Sequence, residues 1–125
     1  MKRLSAVLML ALQVGACDSG PKGPGDLTGT VQSSGAALGG VVFQVVGSGI
    51  EKFTGTGGTK AFWAQQPDPK VFRVILVKEG GGDLTFSTSV QDRSKGLPKA
   101  TVVSVVDLEN RPLPVTGDFK VKFSR

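Results

Sequence analysis

Histidine and tyrosine are absent from this chain of 125 residues, and cysteine occurs once, at Cys17. Without histidine there is no Ser-His-Asp or Cys-His catalysis, and the common zinc ligand sets cannot be assembled. A single thiol excludes an intrachain disulfide, so the fold has to be held by packing. Aromatic residues are scarce at 6%, and they do not interleave with Lys and Arg as they do on RNA-binding strands. Net charge is +5, or +3 from thirteen basic and ten acidic residues once Lys2 and Arg3 are set aside, too small an excess for a nucleic-acid surface. No nucleic acid and no cofactor is therefore expected. Helical patterning is lacking too: after Cys17, no window of eleven or more residues carries an apolar stripe at helical spacing. What is plentiful is glycine and proline, 18 and 7 residues, without the period of three of collagen. Many tight turns in a short chain imply many short strands.

The first seventeen residues differ in character from the rest. Lys2 and Arg3 precede Leu4 to Leu12, an apolar run interrupted only by Ser5, and Val14-Gly15-Ala16-Cys17 follows. A basic end, an apolar core and small residues make the three-part layout of an export signal. At about ten residues the core is too short to cross a bilayer, which takes about 20. Val14-Gly15-Ala16-Cys17 resembles the lipobox of bacterial lipoproteins: an aliphatic residue, two small ones and a cysteine. The resemblance implies that a signal peptidase recognises Val14, Gly15 and Ala16 and removes residues 1–16. It further implies that the Cys17 sulfur carries diacylglycerol, so that the mature chain is held to a membrane on the extracytoplasmic side of the bacterial envelope. The chemistry suits the residue types, since a thiolate is the nucleophile that takes the lipid and small residues let an extended backbone enter a narrow cleft. Val14 stands where the family more often has Leu. Asp18 is similar to the inner-membrane retention signal of enteric lipoproteins, a rule other groups do not follow, so inner and outer membrane both stay open.

Residues 17–25 combine the lipidated cysteine with a Pro- and Gly-rich polar stretch that reads as a flexible tether of about 15 Å reach. Residues 26–125 then form one domain. Leu84, Phe86 and Val90 alternate with polar residues, as do Phe119, Val121 and Phe123, which predicts half-buried strands. Val41 to Val46, Val71 to Val77 and Val102 to Val106 are nearly continuous apolar runs, which fits strands covered on both faces or strands whose outer face meets a partner. With Leu27 to Gln32, and weaker strands at Ile50 to Thr56 and Lys60 to Gln65, the pattern predicts an all-β, antiparallel β-sandwich of about 6–8 short strands. A small closed β-barrel is the alternative. Gly80-Gly81-Gly82-Asp83 and Gly57-Gly58 read as hairpin turns, and Pro67-Asp68-Pro69, Ser94 to Pro98 and Asn110 to Pro114 as loops. The pattern from Ala37 to Val45 onward is similar to that of cohesin-type and other immunoglobulin-like envelope modules, which implies fold class and no functional residue.

Few side chains in that domain point to chemistry. Asp107 and Glu109, with Asn110, offer oxygen ligands suited to calcium, but without EF-hand spacing they also read as a solvated strand end. Ser94-Lys95 reads as a polar turn before it reads as a nucleophile and base, and Gly55 to Gly58 lacks the strand-to-helix setting of a phosphate loop. Lys120 and Lys122 share one strand face near Arg125, either as a charged edge or as a stripe that approaches anionic lipid or glycan. Trp63, the only tryptophan, either closes one end of the core or contacts a ligand. The reading that follows is a non-catalytic domain, lipid-anchored through Cys17, that binds an envelope protein or glycan or has an assembly role. An enzyme with a carboxylate or serine site and a purely structural lipoprotein are the competing readings.

Overall fold

The computed structural model describes residues 23–125 apart from 34 and 36. Along them run nine strands: β1 (Gly25–Gln32), β2 (Leu38–Val46), β3 (Ile50–Thr56), β4 (Lys60–Gln65), β5 (Val71–Val77), β6 (Thr85–Val90), β7 (Lys99–Asp107), β8 (Pro112–Leu113) and β9 (Lys120–Ser124). The ninth strand beyond the expected range is the two-residue β8, inside a stretch expected to be a loop. β1 begins at Gly25, one residue ahead of the expected domain start.

All strand pairs are antiparallel, and they form two sheets in the orders β3-β6-β1-β9 and β4-β5-β2-β7-β8. The sheets keep separate edges, so the fold is a sandwich and not the closed barrel held as its alternative. Two turn assignments need correcting. Gly57-Gly58 joins β3 to β4 and Gly80 to Asp83 joins β5 to β6, yet each pair of strands is divided between the sheets, so neither turn is a hairpin. All five glycines there have positive φ, from 61° to 98°, a region that glycine enters without a Cβ penalty. Turn chemistry signals such a reversal but not which sheet the chain turns into. The true hairpins are β4–β5, closed by the Pro67-Asp68-Pro69 segment, and β7–β8. In the first, the Lys70 N–H donates to Asp68 Oδ1 at 3.0 Å and the Val71 N–H donates to the Asp68 carbonyl at 3.0 Å.

The core lies between the sheets because period-two alternation turns one side of every strand inward. Phe43, Val45, Val74, Leu76 and Phe86 have no exposed surface. Phe86 of β6 meets Phe43 of the opposite sheet at 5.4 Å between ring centroids, Phe123 at 5.7 Å and Phe53 at 6.2 Å; Phe53 in turn meets Phe72 at 5.6 Å. These are tilted and edge-on contacts, the arrangements aromatic quadrupoles favour. The chain is tied in where it enters: the Gly23 N–H donates to Asp92 Oδ1 at 3.2 Å and the Arg93 N–H donates to the Gly23 carbonyl at 2.9 Å. Every core residue among those described follows Gly25, so a chain that starts at Cys17 keeps all of them. Among the described residues no helix is long and apolar enough to cross a membrane.

Candidate functional site

Val14, Gly15, Ala16 and Cys17 lie outside the described residues. The other candidates fall in four separate places. Trp63 sits on the inward side of β4, an edge strand, with its ring 5.8 Å from Phe53 and 6.0 Å from Phe72, yet 40% of it stays exposed. It therefore closes the core along the open edge between β3 and β4 and shows one flank to solvent. Lys120 and Lys122 alternate with Val121 and Phe123 on β9, the edge of the four-stranded sheet, and point away from the core. Charged side chains at such an edge discourage pairing with another chain.

Asp107 and Glu109 belong to the β7–β8 hairpin. Asp107 Oδ1 accepts the backbone N–H groups of Glu109 and Arg111, both at 2.9 Å, while Oδ2 lies 3.4 Å from Arg111 Nε. Glu109 pairs with the same guanidinium, and Asn110 takes the left-handed backbone at φ 63° that the turn requires. Among the described residues no group of three acidic, His or Cys side chains is placed to hold a metal ion. The Arg111 N–H, reinforced by that of Glu109 and by the Arg111 charge, holds the Asp107 carboxyl below the usual carboxylate range despite partial desolvation. A depressed folded-state value means that ionised Asp107 contributes stability at neutral pH and that this contribution disappears as pH falls through the lowered value. Asp107→Asn keeps the turn's acceptor oxygen but cannot titrate. In urea titrations from about pH 5 down to about pH 2, wild type is expected to lose more stability than Asp107→Asn, so that the gap between them narrows; parallel curves would overturn this.

The remaining chemistry candidates are similarly engaged. The Ser94 hydroxyl donates to Asp92 at 2.7 Å, and the Lys95 carbonyl accepts from Arg125, which makes that segment a fastened turn. A groove of about 750 Å³ at the end opposite the chain's entry is lined by Gln32, Ser33, Asp83, Asp118 and Lys120 among others, but both its carboxylates are exposed. Thr59 and Thr88 are the buried polar residues among those described, and no carboxylate is buried there.

The two outer faces of the sandwich differ sharply. On the four-stranded sheet, registered rows read Thr54, Ser87, Thr28, Ser124 and Thr56, Thr85, Thr30, Lys122, a hydroxyl-rich surface of the kind that water covers without cost. On the five-stranded sheet the rows read Lys60, Val77, Gly40, Val106 and Phe62, Ile75, Val42, Ser104, followed by Ala64, Arg73, Gln44, Thr101 and Val71, Val46, Lys99. Phe62 is 57% exposed, Ile75 40% and Val77 39%, so large apolar side chains lie side by side in solvent, and Val46, 45% exposed, follows beyond the Arg73 row. Contiguous apolar surface of this kind marks an interaction site more often than scattered exposed residues do. These residues were absent from the sequence candidates. Their signal was the apolar character of Val71 to Val77 at both odd and even positions, where a half-buried strand would alternate.

In class, the described residues define an antiparallel β-sandwich with one hydroxyl-rich and one apolar outer face. No protein-family model, curated protein or solved structure matches the chain.

Proposed function

We propose that this chain is a lipid-anchored protein of the bacterial envelope whose β-sandwich is a non-catalytic binding module. The anchor rests on the export-signal layout and on Val14-Gly15-Ala16-Cys17. Two or three acyl chains, each contributing about 0.8 kcal/mol per buried CH₂, hold a protein to a bilayer where a single chain is marginal. The binding role rests on one observation: the outer face of the five-stranded sheet leaves Phe62, Ile75, Val77 and Val46 in solvent, where a free-standing domain gains nothing from them. An enzyme reading finds less support, since the carboxylates of the groove and of the β7–β8 hairpin are solvated or engaged with backbone N–H groups and Arg111.

The test is labelled palmitate fed to cells making either the full chain or Cys17→Ser, followed by amine-reactive crosslinking of intact cells. The full chain is expected to carry label, fractionate with membranes and give a discrete heavier adduct. Cys17→Ser is expected to lose the label to background. Equal labelling would sink the anchor, and no adduct at all would remove the binding role.

A further inference from the structure

The apolar face is also a cationic one. The five strands β2, β4, β5, β7 and β8 carry Lys60, Arg73 and Lys99, and their one carboxylate, Asp107, is taken up by the β7–β8 turn. Cross-strand registration puts all three cations on the outer side: Lys60 opposite Val77, Arg73 between Ala64 and Gln44, and Lys99 opposite Val46. Arg73 stands near the centre of the face, two residues from Ile75 on the same strand, and its Nε is buried without a hydrogen-bond partner. No carboxylate among the described residues pairs with it. Nε is as closed to a partner as it is to water, so what a carboxylate arriving on this face would meet is the charge of the half-buried guanidinium, which no acidic side chain among the described residues neutralises.

We infer that this face docks a partner protein through a surface that sets apolar side chains beside carboxylates, one of them placed to accept from Arg73. The inference rests on the binding role proposed above and names the partner's chemistry. Flatness and size fit: four long strands about 4.8 Å apart, each about 20 Å long, make a platform about 20 Å on a side. Such a platform covers about 400 Å² in plan, about half of the ~800 Å² that each partner contributes to a standard interface, so the partner has to reach its rim as well. Aromatic and aliphatic anchors beside an arginine are the composition of binding hot spots. A second copy of this chain fits poorly, because pairing the two faces would bring two sets of cations together without a carboxylate between them.

The experiment places a photo-crosslinking phenylalanine analogue at Phe62, and separately at Thr30 on the opposite sheet, in the full chain made in cells. A protein adduct is expected from position 62 and not from position 30. Arg73→Glu, or Lys60→Glu at an exposed position should the first variant lose its β-sheet circular dichroism, is expected to reduce that adduct about tenfold, and Arg73→Lys much less. The captured protein, identified by mass and titrated with the purified chain from residue 17 bearing Cys17→Ser, is expected to bind more weakly as salt rises from about 50 to about 300 mM. An adduct of twice the chain's mass, an adduct to lipid, capture from position 30 alone, or capture indifferent to Arg73→Glu and salt would overturn the inference. In those cases, and where amine-reactive adducts form but none forms at position 62, the binding role still stands. Failure of every crosslinker would remove both.

Discussion

Phe86→Ala is expected to lower the free energy of unfolding by about 3–5 kcal/mol, the largest loss for any single side chain of this domain. Phe86 is wholly buried on β6 and its ring reaches Phe43 across the sandwich as well as Phe53 and Phe123 within its own sheet. Truncation removes the transfer free energy of the ring and leaves a cavity. The cavity would not collapse easily, because the surrounding side chains project from strands held at fixed spacing by ladders on both sides: β6 pairs with β1 and with β3. Domains of this size hold about 5–15 kcal/mol in all, and each kcal/mol is worth about 4–8 °C, so a fall in Tm of about 15–30 °C is expected. Thermal melts followed by circular dichroism check it. A fall below about 5 °C would mean that the two sheets are not joined through this ring.

Gly29→Ala is expected to destabilise the domain by about 1–3 kcal/mol, although replacing glycine in a strand ordinarily helps by about 0.5–1 kcal/mol. Gly29 of β1 is paired with Phe86 on one side and Phe123 on the other, and the two rings stand edge to face, 5.7 Å apart and 89° between planes. A Cβ built on Gly29 would come within 2.1 Å of Phe86 Cζ. The missing side chain is thus what lets the tip of the ring sit against the strand, and the clash outweighs the entropic gain. The cause can be isolated by a double-mutant cycle with Phe86→Leu, whose shorter side chain leaves room for the new methyl. The two substitutions together are expected to cost clearly less than the sum of each alone. Strict additivity would show that the penalty at Gly29 has nothing to do with the ring above it.

The candidate site was only partly legible before folding. Asp107 and Glu109 read as oxygen ligands because they are close in sequence, but closeness in sequence also builds a turn, and there the backbone N–H groups and Arg111 take their oxygens. Trp63 had two readings, core plug or exposed contact. The edge position of β4 makes it partly both: one flank lies on Phe53 and Phe72 and the other is wet. Phe62, Ile75 and Arg73 were overlooked since a long apolar run does not say which of its two faces meets solvent. That depends on what packs behind and in front of the strand.

The amino-acid order alone determined that the domain is all-β and antiparallel, because period-two alternation and frequent turn residues are local properties that each segment carries by itself, while sandwich and closed barrel both fitted that pattern. It also placed eight strands within about three residues of their final bounds and marked Gly57-Gly58 and Gly80 to Asp83 as reversals. Only the tertiary structure decided which strands share a sheet, and hence that those reversals pass from one layer to the other while Pro67 to Pro69 closes a hairpin. Pairing is a competition among distant segments, settled by how Phe43, Phe53, Phe72, Phe86 and Phe123 pack together, and no local pattern records the winner. The same competition set Lys60, Arg73 and Lys99 beside Phe62 and Ile75 on one outer face, and hydroxyls on the other.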